Sequence, residues 1–133
     1  MTTHRTPIRV RYAETDQMGI VYHSNYYIWM EVGRVEFCRA AGFNYKDMEA
    51  DGILLAVAET HCRHLSPARY DDEIVIETSI REKNARMMTF AYEITCGDRT
   101  LATGWTKHIF LGRDMRPVRL PQAYAGVLGN MSR

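Results

Sequence analysis

Apolar and polar residues alternate over residues 7–13, which puts Ile8, Val10 and Tyr12 on one face of a short strand. Residues 14–25 follow neither a two-residue nor a 3.6-residue period and are rich in Asp, Gly, His, Ser and Asn, so they read as a loop. From Tyr26 the pattern turns helical: Tyr26, Met30, Gly33, Phe37 and Ala40 recur at three- or four-residue steps, and Ile28, Trp29, Val32 and Val35 widen the apolar surface. Ser24 or Asn25 is placed to cap this helix and Gly42 to end it. A helix apolar over most of its girth must be wrapped by other elements.

A short helical piece over residues 45–50 leads into the Asp51-Gly52 turn, and the rest reads as strands. Residues 53–65 are long and mostly extended. Ile74, Ile76 and Ile80 share one face of residues 73–80, Met88, Phe90, Tyr92 and Ile94 alternate in the next run, and residues 101–111 form the last. Cys96-Gly97-Asp98-Arg99 is a tight-turn signal and Lys83-Asn84-Ala85-Arg86 a looser one. The tail from Pro117 to Arg133 reads as irregular or briefly helical. Strands joined by short turns must run antiparallel. One apolar helix plus one such sheet gives an α+β domain in which the sheet curls around the helix.

At 133 residues the chain has the length of a single domain. A chain this short has little material for a deep site of its own, and enzymes of this size often complete their sites at a subunit interface. Seventeen basic and sixteen acidic side chains leave a net charge of +1, which points to neither nucleic acid nor an anionic membrane as partner. No apolar run approaches the ~20 residues of a membrane span, and residues 1–6 lack the apolar core of a signal peptide. The odd set Cys38, Cys62 and Cys96 contains no CxxC pair, so reduced thiols in the cytoplasm are the expectation.

Chemistry concentrates in residues 12–27, YAETDQMGIVYHSNYY. Asp16 offers a carboxylate for nucleophilic or general-base work, His23 an imidazole that handles protons near neutral pH, and the helix start offers free N–H groups for an oxyanion. Together these suit attack on a polarised carbonyl. Taken alone, each has a plainer role: Asp16 a turn residue, His23 a local hydrogen-bonder and Tyr12 a packed aromatic. His61 and His64 would point to opposite faces of a strand, so no metal site is expected from them. Ser24 lacks a GxSxG context, and no phosphate-cradling glycine motif occurs.

Glu14-Thr15-Asp16-Gln17-Met18-Gly19-Ile20-Val21-Tyr22-His23-Ser24-Asn25-Tyr26 resembles the catalytic signature of the 4-hydroxybenzoyl-CoA thioesterase family, and more closely its bacterial Tol–Pal-associated acyl-CoA thioesterase branch. Ser66-Pro67-Ala68-Arg69-Tyr70-Asp71-Asp72 is similar to a second stretch of that family, and the likeness spans about residues 7–120. The resemblance implies a hot-dog fold, in which a five-stranded antiparallel sheet wraps a long central helix. It implies hydrolysis of an acyl-CoA, with Asp16 as the catalytic carboxylate, the His23 N–H polarising the carbonyl, and Tyr12 and His23 flanking. Glu31 and Glu36 lie on the helix, where some hot-dog thioesterases carry the catalytic glutamate, but Asp16 sits in the motif. It further implies a homodimer or homotetramer with CoA, as part of the substrate and not a resident cofactor, lying across the subunit interface. Cations for the CoA phosphates would come from Arg63, Arg69, Arg81, Lys83 and Arg86, with Arg86 first because it follows a turn. Acyl carrier protein is an alternative thioester donor. A hydratase or dehydratase on acyl thioesters, or a non-catalytic acyl-carrier or partner-binding module, is the competing reading.

Overall fold

The computed structural model describes residues 2–42 and 45–125. β1 (Thr3–Arg9) is followed by a single 3-10 turn (Tyr12–Glu14), helix α1 (Ser24–Ala40) and a short α2 (Tyr45–Ala50). Strands β2 (Leu54–His64), β3 (Glu73–Lys83), β4 (Met87–Cys96) and β5 (Arg99–Leu111) complete one five-stranded antiparallel sheet in the order β1-β3-β4-β5-β2. This is the hot-dog fold of the α+β class. The residues beyond 125, including the tail from Gly129 to Arg133, lie outside the described residues.

The alternation in β3 and β4 aims Ile74, Ile76, Ile80, Met88, Phe90, Tyr92 and Ile94 at the helix, all at most 4% exposed. The register sets Ile76 opposite Ile94 and Ile80 opposite Phe90. Bulges after Val57, Ile80 and Ile94 add twist where the sheet must curl. Cys96 pairs with Arg99 around a two-residue turn, with Gly97 at φ +62° as the first central residue. On the inner side α1 buries Trp29, Met30 and Phe37, each contributing about 2–3 kcal/mol by leaving water. The helix lies so close to β3 that a Cβ on Gly33 would stand 2.7 Å from Ile76 Cγ2 and from Thr78 Oγ1. Gly42, at φ +104°, follows the last turn as expected.

Three sequence expectations are corrected. β1 occupies residues 3–9 and not 7–13, because pairing with β3 from Thr3↔Ser79 to Arg9↔Glu73 sets its bounds, not its weak alternation. The chain then bends into the 3-10 turn, which carries Tyr12 off the Ile8–Val10 face: Val10 is 1% exposed and Tyr12 77%. Finally, α1 is not wrapped on every side. It packs mainly on β1 and β3, so Ile28 and Val32 face outward on the side towards β2. No helix among the described residues is long and apolar enough to cross a membrane.

Candidate active site

The loop before α1 is a tight, fully specified turn. Thr15 and Val21 form an antiparallel bridge. Within it, the Asp16 N–H donates to the Ile20 carbonyl at 2.9 Å and the Gly19 N–H to the Asp16 carbonyl at 3.0 Å. Gly19 takes φ +77°, where any side chain would be strained. Asp16 Oδ1 accepts the Met18 N–H at 2.8 Å, which orients the half-buried carboxylate and leaves its other oxygen without a partner among the described residues.

Glu14 fastens this turn to the helix. Its carboxylate, 4% exposed, accepts the Trp29 Nε1–H at 2.9 Å and the Arg11 N–H at 2.8 Å. Its carbonyl accepts the Tyr22 N–H at 2.9 Å and Asn25 Nδ2 at 3.0 Å. The second motif supplies the other anchor, the Ala68 carbonyl, which accepts the Val21 N–H at 2.8 Å.

Neither Ser24 nor Asn25 caps the helix. His23 precedes the first helical residue, already in helical conformation (φ −56°, ψ −31°), and no side chain bonds the helix start. The Asn25 amide is instead engaged by Glu14 and by the Tyr22 carbonyl. The N–H groups of His23 and Ser24 therefore have no acceptor among the described residues, and they stand at the positive end of a 17-residue helix. His23 lines a cleft of about 400 Å³, together with Asp16, Met18, Tyr22, Tyr26, His64 and the Leu65–Pro67 segment. His64 packs edge-on against Tyr26 at 4.7 Å. Burial, with the His23 ring as a second cause, lowers the His64 pKa below the ordinary imidazole value. A free carboxylate oxygen and a pair of imidazoles thus share one apolar-walled cleft beside a helix start with two acceptor-free N–H donors, the equipment for attack on a carbonyl whose oxygen needs stabilising.

Asp16 and His23 are brought together in this cleft; Tyr12 is not. It stands in solvent with its ring edge against Tyr70 at 5.5 Å. Arg69 is exposed in the turn beside Ser66 and Pro67, near the cleft, and Arg63 is exposed on β2 one residue before His64. Arg86 follows the β3–β4 turn, at the opposite end of the sheet from the cleft, since β4 residue Met87 pairs with Ile109 whereas His64 pairs with Ala102. Seven residues of β5 separate those registers, or roughly 23 Å. His64 reached the cleft although sequence reasoning weighed it only against a metal. The neighbouring Ser66-Pro67 motif was the signal that pointed there. The anchoring role of Glu14, the first residue of the motif, was missed, because no periodicity argues for a buried carboxylate there.

An antiparallel sheet wrapped on a helix whose bare N-terminus faces a carboxylate defines a hot-dog thioesterase-type protein. The chain belongs to the thioesterase-like superfamily, whose family model matches residues 10–128. It is 36% identical over 127 residues to a Bacillus subtilis protein named "Putative acyl-CoA thioesterase YneP", covering 93% of this chain and 91% of that one. It is 32% identical over 100 residues to the acyl-CoA thioester hydrolase YbgC of Escherichia coli, covering 75% of each. Among solved structures, the DHNA-CoA thioesterase of Staphylococcus aureus superposes with a TM-score of 0.94 at 30% identity, over 98% of this chain and 91% of that one. The family resemblance carried by the Asp16 motif is borne out.

Proposed function

We propose that this protein hydrolyses the thioester of an acyl-CoA to a carboxylate and the free CoA thiol. The observation that carries this reading is the unpartnered Asp16 oxygen in a cleft that His23 also lines, at the helix start where the N–H groups of His23 and Ser24 have no acceptor among the described residues. The carbonyl oxygen would sit on those N–H groups, where the helix dipole adds to the hydrogen bonds as charge develops. Asp16 would then either attack the carbonyl carbon, expelling the CoA thiolate and leaving a mixed anhydride for water to open, or take a proton from a water that attacks directly. Tyr12, outside the cleft, is given no step.

The proposed assembly is at least a homodimer, formed across β2. This strand ends the sheet with an unpaired edge, and its Val57 is 55% exposed. Antiparallel pairing of two β2 edges would bring the Arg86 end of one sheet to the cleft end of the other. That is how Arg86 would meet CoA phosphates beside Arg63 and Arg69. A homotetramer would pair two such dimers. CoA enters as part of the substrate, with no further cofactor in the proposed reaction, and an acyl carrier protein thioester presents the same carbonyl. Three unpaired cysteines suit a reducing cytoplasm.

Free-thiol release from a panel of acyl-CoAs, with wild type and Asp16→Asn side by side, tests the reading. The variant should lose roughly a hundredfold to ten-thousandfold in turnover with an unchanged melting temperature. Near-wild-type turnover would remove Asp16 from the chemistry. A product with an altered double bond and an intact thioester would point to a hydratase, and tight binding without turnover to a carrier-binding module.

A further inference from the structure

Arg34 is a cation in the wrong place for a purely structural role. It lies on the buried side of α1, 8% exposed, and among the described residues no carboxylate pairs with it. Its Nη1 donates to the Tyr92 hydroxyl at 3.1 Å, and its Nε has no partner. A guanidinium stays charged in any protein environment, and a buried charge without a counter-charge is costly. The hydroxyls facing it, those of Tyr92 and Tyr45, are neutral, and that of Tyr92 is already shared with Thr106 Oγ1 at 2.6 Å.

The same Arg34 lines a second cavity, of about 220 Å³, whose other walls are Tyr27, Ile28, Glu31, Val57, Thr60 and Thr106. Its inner wall is polar, through Arg34 and Thr106; Tyr27, Ile28 and Val57 give it apolar sides, and Glu31 and Thr60 polar ones. This cavity and the catalytic cleft share no lining residue but both touch α1 and the β2 side of it: the cleft takes His23, Tyr26 and His64, and the second cavity takes the next two turns of the helix and the preceding residues Val57 and Thr60 of the strand. Arg34 lies eleven residues beyond His23, or roughly 16 Å along the helix axis, and its long side chain leans back towards the helix start. Glu31 also borders this space, but it is exposed and its charge is screened by water, whereas that of Arg34 is not.

We infer that the Arg34 cavity receives a carboxylate at the far end of the acyl group, so that this enzyme prefers acyl-CoAs carrying an ω-carboxylate. The inference rests on the thioesterase reading and deepens it. With the thioester carbonyl at the helix start, the tail runs along α1 past Tyr27 and Ile28, and its terminal carboxylate supplies the anion that Arg34 lacks. A methyl-ended tail of equal length would leave that cation unpaired and would be discriminated against in kcat/KM.

The test pairs acyl-CoAs of equal length that end in carboxylate or in methyl, and measures kcat/KM for wild type and Arg34→Met. Wild type should favour the carboxylate member by at least about tenfold, the loss expected for one unpaired buried charge. Arg34→Met should abolish that preference, bringing the two members to within a few-fold of each other. A parallel melting experiment uses free glutarate and adipate on wild type and on Asp16→Asn, with 1-butanol as the uncharged control; the carboxylates alone should raise the melting temperature. This arm reads the cavity whether or not the chain is a thioesterase. Should Arg34→Met fail to fold, Thr60→Phe, which blocks the cavity without touching the guanidinium, should erase the same preference and the same shift. No preference and no shift in wild type, or a preference that survives both variants, overturns the inference. So does a third pattern, in which dicarboxylates have no effect and Glu31→Gln dissociates the oligomer as Arg34→Met does, because Glu31 of a second copy would then be the counter-ion.

Discussion

Glu14 shows how much a single buried carboxylate can organise. Its two oxygens are spent on Trp29 and Arg11 and its carbonyl on Tyr22 and Asn25, so the Asp16 turn, the helix start and the core are tied through one residue. Glu14→Ala leaves the Trp29 Nε1–H and the Arg11 N–H without acceptors, and should cost about 2–4 kcal/mol. Because the turn that carries Asp16 loosens as well, turnover should fall more than tenfold even at temperatures where the variant is folded. Urea melts and thiol-release assays on the same preparation check both. Unchanged turnover in a destabilised variant would confine Glu14 to stability. A second residue, His108, is 0% exposed, with Nε2 2.8 Å from Thr106 Oγ1 and Nδ1 unpartnered. Burial, aided by the charge of Arg34, pushes its pKa down to about 3. Below pH 6.5 the unfolded chain takes up a proton that the native imidazole refuses, so the stability present above 6.5 drains away as the pH falls towards 3. By pH 4.5 the loss is roughly 3 kcal/mol. His108→Leu should flatten that part of the stability–pH curve in denaturant titrations. A variant curve as steep as wild type would show that other groups govern acid stability.

At the scale of elements, the distance between α1 and β3 is set by Gly33. A Cβ there meets two β-branched side chains, Ile76 and Thr78, which have little room to move. Gly33→Ala gains up to about 1 kcal/mol of helix propensity but meets about 1–3 kcal/mol of overpacking. We expect net destabilisation, partly relieved by adding Thr78→Ala; thermal melts of the single and double variants decide it, and a stabilised single variant would mean that the helix can lift without loss. Element identity was largely readable beforehand. The alternation of β3 and β4, the Gly97-Asp98 turn and the Gly42 stop each follow from side chains that act locally. The start of β1 was not readable, because Thr3, His4 and Arg5 are polar and become a strand through ladder bonds to β3, some 70 residues away. The uncapped start of α1 also escaped the rule that Ser and Asn cap, since Glu14 claims the Asn25 amide.

For the whole molecule, the unpaired β2 edge and the outward Ile28, Val32 and Val57 form one unfinished side. Val57→Lys places a charge in the proposed dimer seam and should shift the protein to monomer in light scattering, with a loss of acyl-CoA turnover of about tenfold or more. A variant that stays dimeric and active would move the interface elsewhere. The sequence by itself determined the class of each element, the wrapped-helix plan and the segment that holds Asp16 and His23, because periodicity, turn chemistry and a contiguous motif are local properties of a chain. Only the tertiary structure decided the strand order β1-β3-β4-β5-β2, the exposure of Tyr12, the burial of Glu14 and Arg34, and the arrival of His64 opposite His23. Each of these depends on which distant segments meet, and a charged residue reads as surface in a sequence until a partner far along the chain takes it out of water.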